Sequence, residues 1–330
     1  MCAFFAKLLN VPTEPPAKEF RDPVFLVGAM RSGTTLLMNT LSEHPQLLKV
    51  GFELNKVWTE IGGAPIRSGC LERTEDDLKM EFSNNMTAYL TDYLSKSKSF
   101  LRHLARISQR NIFGSGGVFY DWDNVFLLNK NPHLSNKVRY LDGMFPKSKF
   151  IVIVRSPFGQ CASLKMFFDK SHRQDGRYKY LPEEEGSCWL NVPKEEVHKY
   201  DKKRLIPGNS ELLAEAWLNI NYTMFKHLEK IPAERKVIIS YEELMNNRPE
   251  SIKNIFDKLN LKTDYQNVVN RIIEKERKIH NTSTSGNPLE KWKKHLTDDE
   301  KEKMETIIKK NEEKITFIRN KTPGSENFWN

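Results

Sequence analysis

Two glycines five residues apart, with an arginine, a serine and two threonines around them, are the densest chemistry in this 330-residue chain. The run is Val24-Phe-Leu-Val-Gly28-Ala-Met-Arg31-Ser32-Gly33-Thr34-Thr35. It reads as a short apolar strand, a glycine turn and the start of an amphipathic helix. Such a turn presents free backbone N–H groups at the positive end of a helix, which makes a phosphate cradle. Gly28-x4-Gly33 has the spacing of a Walker-A loop. Thr34, however, stands where that loop carries its lysine, and the cation has moved to Arg31. The ligand is therefore a phosphate compound other than ATP held in the usual way. Ser32, Thr34 and Thr35 add hydroxyl donors, and Arg31 adds a fixed charge.

A second anchor lies at Phe150-Ile-Val-Ile-Val-Arg155-Ser-Pro157. A strand ends, an arginine follows, and a helix carries Ser163 eight residues later. Ligands of open α/β sheets sit at the carboxyl ends of the strands, and an arginine there can grip a second phosphate with two nitrogens.

The elements that must position these residues alternate. Strands are expected at 24–27, 48–51, 126–129, 150–154 and 237–240, with helices at 35–42, 136–144, 160–168 and 214–229. The strands are short apolar runs without alternation, as suits strands buried on both faces. The alternation predicts an α/β fold, a parallel sheet with helices on both faces. Residues 1–22 read as a Pro-containing lead-in, 23–320 as a single domain and 321–330 as a tail. The polar, charged stretch 177–209 reads as an insertion or lid. Thr297-Asp-Asp-Glu300 is a capping box that opens a late charged helix.

Composition narrows the field. The charge of +9 suits an anionic ligand or a lysine-rich solvated surface. No basic stripe with interleaved aromatics speaks for nucleic acid. Cys2, Cys70, Cys161 and Cys188 form no C-x-x-C pair, and the eight histidines add no zinc spacing. No metal site is expected, a reduced compartment fits, and the chain is read as cytoplasmic and without a membrane span. The oligomeric state is left open.

Taken together, Arg31-Ser-Gly-Thr-Thr35 and Arg155…Ser163 resemble the sulfotransferases dependent on 3′-phosphoadenosine 5′-phosphosulfate (PAPS). Asn129-Lys130-Asn-Pro132, Tyr241-Glu-Glu-Leu244 and Lys291-Trp292-Lys-Lys294 extend the resemblance to about residues 23–318. The loop arginine and the Asn-Lys-x-Pro string are most like those of the protein-tyrosine, carbohydrate and bacterial branches. The resemblance implies a P-loop-NTPase-like three-layer fold and transfer of a sulfuryl group from PAPS to a hydroxyl, or an amine, leaving 3′,5′-adenosine bisphosphate. It implies that Arg31, Ser32, Gly33, Thr34 and Thr35 grip the 5′-phosphosulfate, and Arg155 and Ser163 the 3′-phosphate. Tyr241 would contact the adenosine, Lys130 would stabilise charge on the sulfuryl group, and Lys293 and Lys294 would lie near the 3′-phosphate.

The acceptor must lose a proton, so a base is needed. Glu53, after the second strand, matches the base of the tyrosine-protein and carbohydrate branches. His133 lies one residue beyond the histidine of the cytosolic branch, whose pattern is Lys-x-His where this chain has Lys130-Asn-Pro-His133. His44 reads as structural. The acceptor is expected to be a small molecule, a glycan or a peptide, and Trp58, Phe119, Tyr120 and Trp122 are open between pocket and core. The competing readings are a P-loop-like kinase and a non-catalytic nucleotide-binding protein.

Overall fold

The computed structural model describes residues 20–66, 72–99, 104–105, 118–182, 189–261, 268–270 and 287–329. Cys2, Cys70 and Cys188 lie outside the described residues, as does most of the lead-in; Cys161 is a buried free thiol.

Five parallel strands form the centre: β1 (Arg21–Val27), β2 (Leu47–Lys49), β3 (Phe126–Lys130), β4 (Lys149–Val154) and, later in the chain, a fifth at Lys236–Ser240. Their order is β2-β3-β1-β4 and then Lys236–Ser240, with parallel register throughout. All five strands foreseen from the apolar runs are present, each within three residues of its expected start. The first begins at Arg21, where Phe20 is already buried and Asp22 accepts a hydrogen bond from the Lys147 amide.

Alternate side chains of each strand enter different cores. Phe25, Val27, Val152 and Val154 face one layer, and Val24, Leu26, Ile151 and Ile153 face the other. That is why these strands read as unbroken apolar runs. Each such side chain contributes roughly 1.5–3 kcal/mol when fully buried. Against the second face pack α1 (Thr34–Leu41) and the helix Arg248–Lys258. The first face carries α2 (Asn55–Glu60), α3 (Met80–Lys98), α4 (Val138–Met144), α5 (Pro157–Asp175) and α6 (Glu211–Leu228). The result is a three-layer P-loop-like fold.

The connection after β1 runs left to β2, and the connection after β4 runs right to Lys236–Ser240. The crevice between the carboxyl ends of β1 and β4 is therefore the topological switch point, where open α/β sheets hold ligands.

The 177–209 stretch is a second, small sheet. Strands β5 (Tyr178–Tyr180), β6 (Leu190–Val192) and β7 (Leu205–Ile206) pair antiparallel in the order β6-β5-β7. Arg204 fastens it to α6 through two 2.8 Å bonds to the Glu215 carboxylate. The capping box at Thr297 forms as expected. Thr322, Ser325 and Phe328 of the last stretch are buried. No described helix is long and apolar enough to cross a membrane.

Candidate functional site

Each strand of the main sheet delivers one of the singled-out residues within a few positions of its carboxyl end. Because the strands are parallel, those ends share one edge. The loop after β1 is held open by its backbone. Gly33 has φ of +99°, and a Cβ there would sit 2.5 Å from the Tyr241 ring, so only glycine fits. Arg31 itself takes the left-handed conformation, φ 69°. The Gly28 amide donates to Ser135 Oγ at 2.9 Å, tying the loop to the turn after β3. Ser32 is fully buried, and its Oγ has no hydrogen-bond partner.

Arg31 Nε donates to Ser163 Oγ at 3.1 Å, so the two anchors of the sequence meet across the switch point. Arg155 lies behind them. Its guanidinium stacks on the Tyr241 ring at 4.3 Å and donates to the carbonyls of Arg31 (3.2 Å) and Pro288 (3.1 Å). Its buried Nε has no partner. Burial pushes the Arg155 and Arg31 guanidiniums below, and the Tyr241 phenol above, their ordinary pKa ranges.

Two residues that hold Arg155 carried no sequence signal of their own. A Cβ on Gly159 would come 2.7 Å from Ser156 Oγ and 3.0 Å from Arg155 Nε, so this glycine leaves room for both side chains over the first turn of α5. Trp217 Nε1 donates to the Arg155 carbonyl at 2.9 Å.

On the other side of the loop, Lys130 is buried to 1 % side-chain exposure and bonds Glu53 Oε1 at 2.7 Å. Its Nζ also reaches Thr35 Oγ1 at 3.3 Å and sits 4.0 Å from the Phe52 ring centre. Burial lowers the Lys130 pKa, and the Glu53 carboxylate pulls partly against that. Asn131 joins both candidate bases. Its Nδ2 donates to the Glu53 carbonyl at 2.7 Å, and its Oδ1 accepts from the His133 amide at 2.9 Å.

The late lysines divide. Lys293 and Lys294 are exposed, and Lys293 stands 3.8 Å from Glu290. The neighbour whose charge bears on Arg155 is Lys291: burial and the Arg155 charge together lower its pKa. The four aromatics left open between pocket and core also sort themselves. Trp58 is buried and donates to Asn129 Oδ1 at 3.0 Å, Tyr120 and Trp122 pack on each other, and Phe119 is 73 % exposed. His44 is buried, and its Nδ1 accepts from the Gln46 amide, as a structural histidine does.

A cavity of about 30 Å³ opens beside the loop, walled by Ala29, Met30, His133, Gln160, Trp189 and Trp217, among others. Trp189 comes from the small antiparallel sheet and packs edge-on against Phe168 at 4.8 Å. Among the described residues, no group of three or more His, Cys, Asp or Glu is placed to hold a metal.

The profile of the Sulfotransferase family matches residues 23–265, from β1 past the Lys236–Ser240 strand and the helix Arg248–Lys258. The chain belongs to the sulfotransferase family. No curated protein matches it. Among solved structures, this sulfotransferase is similar to the sulfotransferase domain of the curacin biosynthetic pathway, at 16% identity over 87% of this chain and 98% of that one, TM-score 0.44. It is similar to a Mycobacterium avium sulfotransferase at 12% identity over 94% and 81% of the two chains, TM-score 0.46. It is similar to a mouse sulfotransferase complexed with PAP at 14% identity over 91% and 89%, TM-score 0.45.

Proposed function

We propose that this sulfotransferase uses PAPS as donor and a hydroxyl as acceptor, with an amine as the second choice, and that Glu53 is the general base. The observation that carries the donor reading is the meeting of the two anchors at the switch point, Arg31 Nε on Ser163 Oγ at 3.1 Å with Arg155 behind them on the Tyr241 ring; Ser32 Oγ and Arg155 Nε, two of ten buried side-chain atoms without a partner among the described residues, lie there as well. A buried polar group left without a protein partner calls for a water or a ligand. Here one lies in the glycine loop and the other on the arginine beyond it, the distribution that a ligand with two separated phosphate groups would satisfy.

In this reading Arg31, Ser32, Gly33, Thr34 and Thr35 hold the 5′-phosphosulfate. Arg155 and Ser163 hold the 3′-phosphate, Lys291 adds charge there, and Lys293 and Lys294 contribute long-range field. Tyr241 carries the adenosine side. PAPS supplies the sulfuryl group, which becomes bonded to the acceptor oxygen as its bond to the donor phosphate breaks. Glu53 takes the hydroxyl proton onto its carboxylate. Arg31, Lys130 and the loop amides face the negative charge that gathers on the departing phosphate, where fixed donors in a dry site act most strongly. His133 is the alternative base, held by the same Asn131.

Calorimetry with PAP, 5′-AMP and magnesium-ATP tests the donor, and mass-detected sulfation with PAPS tests the transfer. PAP should bind at least tenfold tighter than AMP, and transfer should survive EDTA. Tighter magnesium-ATP binding, or a strict metal requirement, would favour a kinase instead. The absence of a membrane-spanning helix among the described residues is compatible with a cytoplasmic enzyme.

A further inference from the structure

The cavity beside the loop is polar at very few points. Eight of the eleven described residues that wall it are apolar or aromatic, among them Met30, Leu164, Trp189, Trp217 and Ile220. The remaining three are His133, Asn136 and Gln160. Among the described residues, no lysine, arginine, aspartate or glutamate lines it.

Two of the polar atoms nearby are already used. Trp217 spends its N–H on the Arg155 carbonyl at 2.9 Å, and Asn136 Oδ1 accepts from Lys137 Nζ at 2.8 Å. Gln160 differs. It is 3 % exposed, and its Oε1 has no hydrogen-bond partner. It sits in the first turn of α5, its amide bonded to the Ser156 carbonyl at 2.9 Å. Three residues on, Ser163 meets Arg31. Gln160 thus stands between the donor grip and the apolar wall.

We propose that Gln160 selects the acceptor, its Oε1 accepting one hydrogen bond from an N–H or O–H adjoining the reacting group of a small, neutral, mostly apolar alcohol. This rests on the sulfuryl-transfer reading above and narrows its acceptor. A cavity of about 30 Å³ has room for about two waters, so what enters is a group of a few atoms at one end of the molecule. A charged group there would be desolvated beside described walls that carry no lysine, arginine or carboxylate, and the end of a glycan, with hydroxyls on adjacent carbons, would strand its second hydroxyl against apolar surface. An acceptor with one donor at the right place satisfies the one orphan oxygen. A site built around such a bond rejects the analogue that lacks it, because its own polar atom is then left unpaired.

Trp189 sets the second limit. It reaches the cavity from the antiparallel sheet and is propped on Phe168. It closes the wall on the side of the insertion, so its size governs the girth of the acceptor.

The test uses the full chain with PAPS and a matched pair of probes, N-(2-hydroxyethyl)benzamide and 2-hydroxyethyl benzoate. The pair differs by one N–H replaced by oxygen. A neutral trisaccharide and an acidic tyrosine peptide serve as controls. The wild type should favour the amide over the ester by about ten- to a hundredfold in kcat/KM. Gln160→Met, which keeps the length and apolar bulk, should reduce that preference to within about twofold while leaving PAP affinity unchanged. Trp189→Ala should keep the preference and admit a bulkier ring. A preference that persists in Gln160→Met overturns the proposal. So does an equal fall for both probes, since Gln160 would then hold only a structural water. So does sulfation of the trisaccharide or the peptide in place of both probes. If neither probe is turned over while PAP binds, calorimetry of the two probes on the PAP complex decides, and equal or absent binding overturns it. Failure of PAP itself to bind removes the donor reading, and this inference with it.

Discussion

The half of this site that we assign to the donor and the half that we assign to the acceptor are built in different ways. The donor half is backbone and strand ends: a glycine loop fixed by Gly28 and Gly33, Arg31 on Ser163, and Arg155 between Tyr241 and two carbonyls. The acceptor half is side chains from distant segments: Met30 of the loop, His133 of the turn after β3, Gln160 of α5, Trp217 of α6 and Trp189 of the small sheet. The first half is set by what the main sheet does at its carboxyl edge. The second depends on how five separate pieces of chain come to rest. Changes in one half should therefore move donor binding, and changes in the other should move acceptor choice.

The largest effect is expected where the halves meet. Glu53 touches Lys130 at 2.7 Å and none of the residues assigned to the phosphates apart from that shared lysine. Glu53→Gln keeps the shape and removes the basicity. It should cost about 10²–10⁴-fold in kcat and leave PAP affinity within about twofold. His133→Ala should cost much less. If Glu53→Gln turns over normally and His133→Ala does not, the base is His133, and it belongs to the acceptor half rather than to the seam.

Next comes a test wholly inside the donor half. A hydrogen bond to a charged group is worth roughly 1.5–3 kcal/mol, so Arg155→Ala should weaken PAP by about ten- to a hundredfold. Gly159→Ala should weaken it by less, about threefold to tenfold, because the new methyl, 2.7 Å from Ser156 Oγ and 3.0 Å from Arg155 Nε, shifts the guanidinium without removing it. Acceptor KM should hold in both. A change in acceptor KM equal to the change in PAP affinity would erase the division between the halves.

The legibility of the two halves follows from the same difference. Arg31, Lys130, Arg155 and Tyr241 were readable because each follows an apolar run that only a buried strand explains, and the parallel sheet then gathers strand ends without further instruction. Gly159 and Trp217 had no such marker; one is a missing methyl and the other a core tryptophan with a single polar duty. Lys291 was hidden among Lys291, Lys293 and Lys294, since charge and spacing do not say which of three neighbouring lysines feels the Arg155 charge. The sequence left Trp58, Phe119, Tyr120 and Trp122 open between pocket and core, and Trp189 and Trp217, which it did not single out, line the cavity. Aromatics in a chain all look alike until packing decides which stay in a core. The insertion at 177–209 was legible as polar and Pro-containing, but its antiparallel pairing was not, because strands of two or three residues leave no period to read.

A smaller effect should come from the joint that holds the small sheet. Arg204 bonds Glu215 twice, and its Nε donates to the Leu181 carbonyl at 2.7 Å. Glu215→Ala removes the carboxylate from α6 and leaves the strands themselves intact. Trp189 should then lose its fixed place. We expect acceptor KM to rise by about threefold to tenfold in steady-state assays, with PAP affinity unchanged by calorimetry. Unaltered acceptor kinetics in a folded variant would mean that the small sheet is not part of the acceptor half.

The smallest effect on turnover, and the clearest on stability, concerns Lys137. Two lysines are buried near the site, one on each side. Lys130 has the Glu53 carboxylate. Lys137 is fully buried and bonds two neutral oxygens, Asn136 Oδ1 at 2.8 Å and the His133 carbonyl at 3.3 Å. Burial and the nearby Arg73 charge push its pKa down to about 7, with Glu72 pulling weakly the other way. An unfolded lysine keeps its proton up to its ordinary value of 10.5. Between about pH 7 and pH 10.5 the unfolded chain therefore binds the extra proton, and stability must rise with pH across that window. One proton gives a slope of up to about 1.4 kcal/mol per pH unit. Lys137→Met removes that slope, so its stability relative to the wild type should fall between pH 7 and pH 9.5 in urea unfolding. Equal slopes would show that Lys137 stays charged in the fold, with Glu72 holding the proton in place. The turn it supports carries His133 and Asn136 into the cavity, so PAP affinity should be the same in both proteins, and any change in acceptor KM measures how stiffly that turn holds its half of the site.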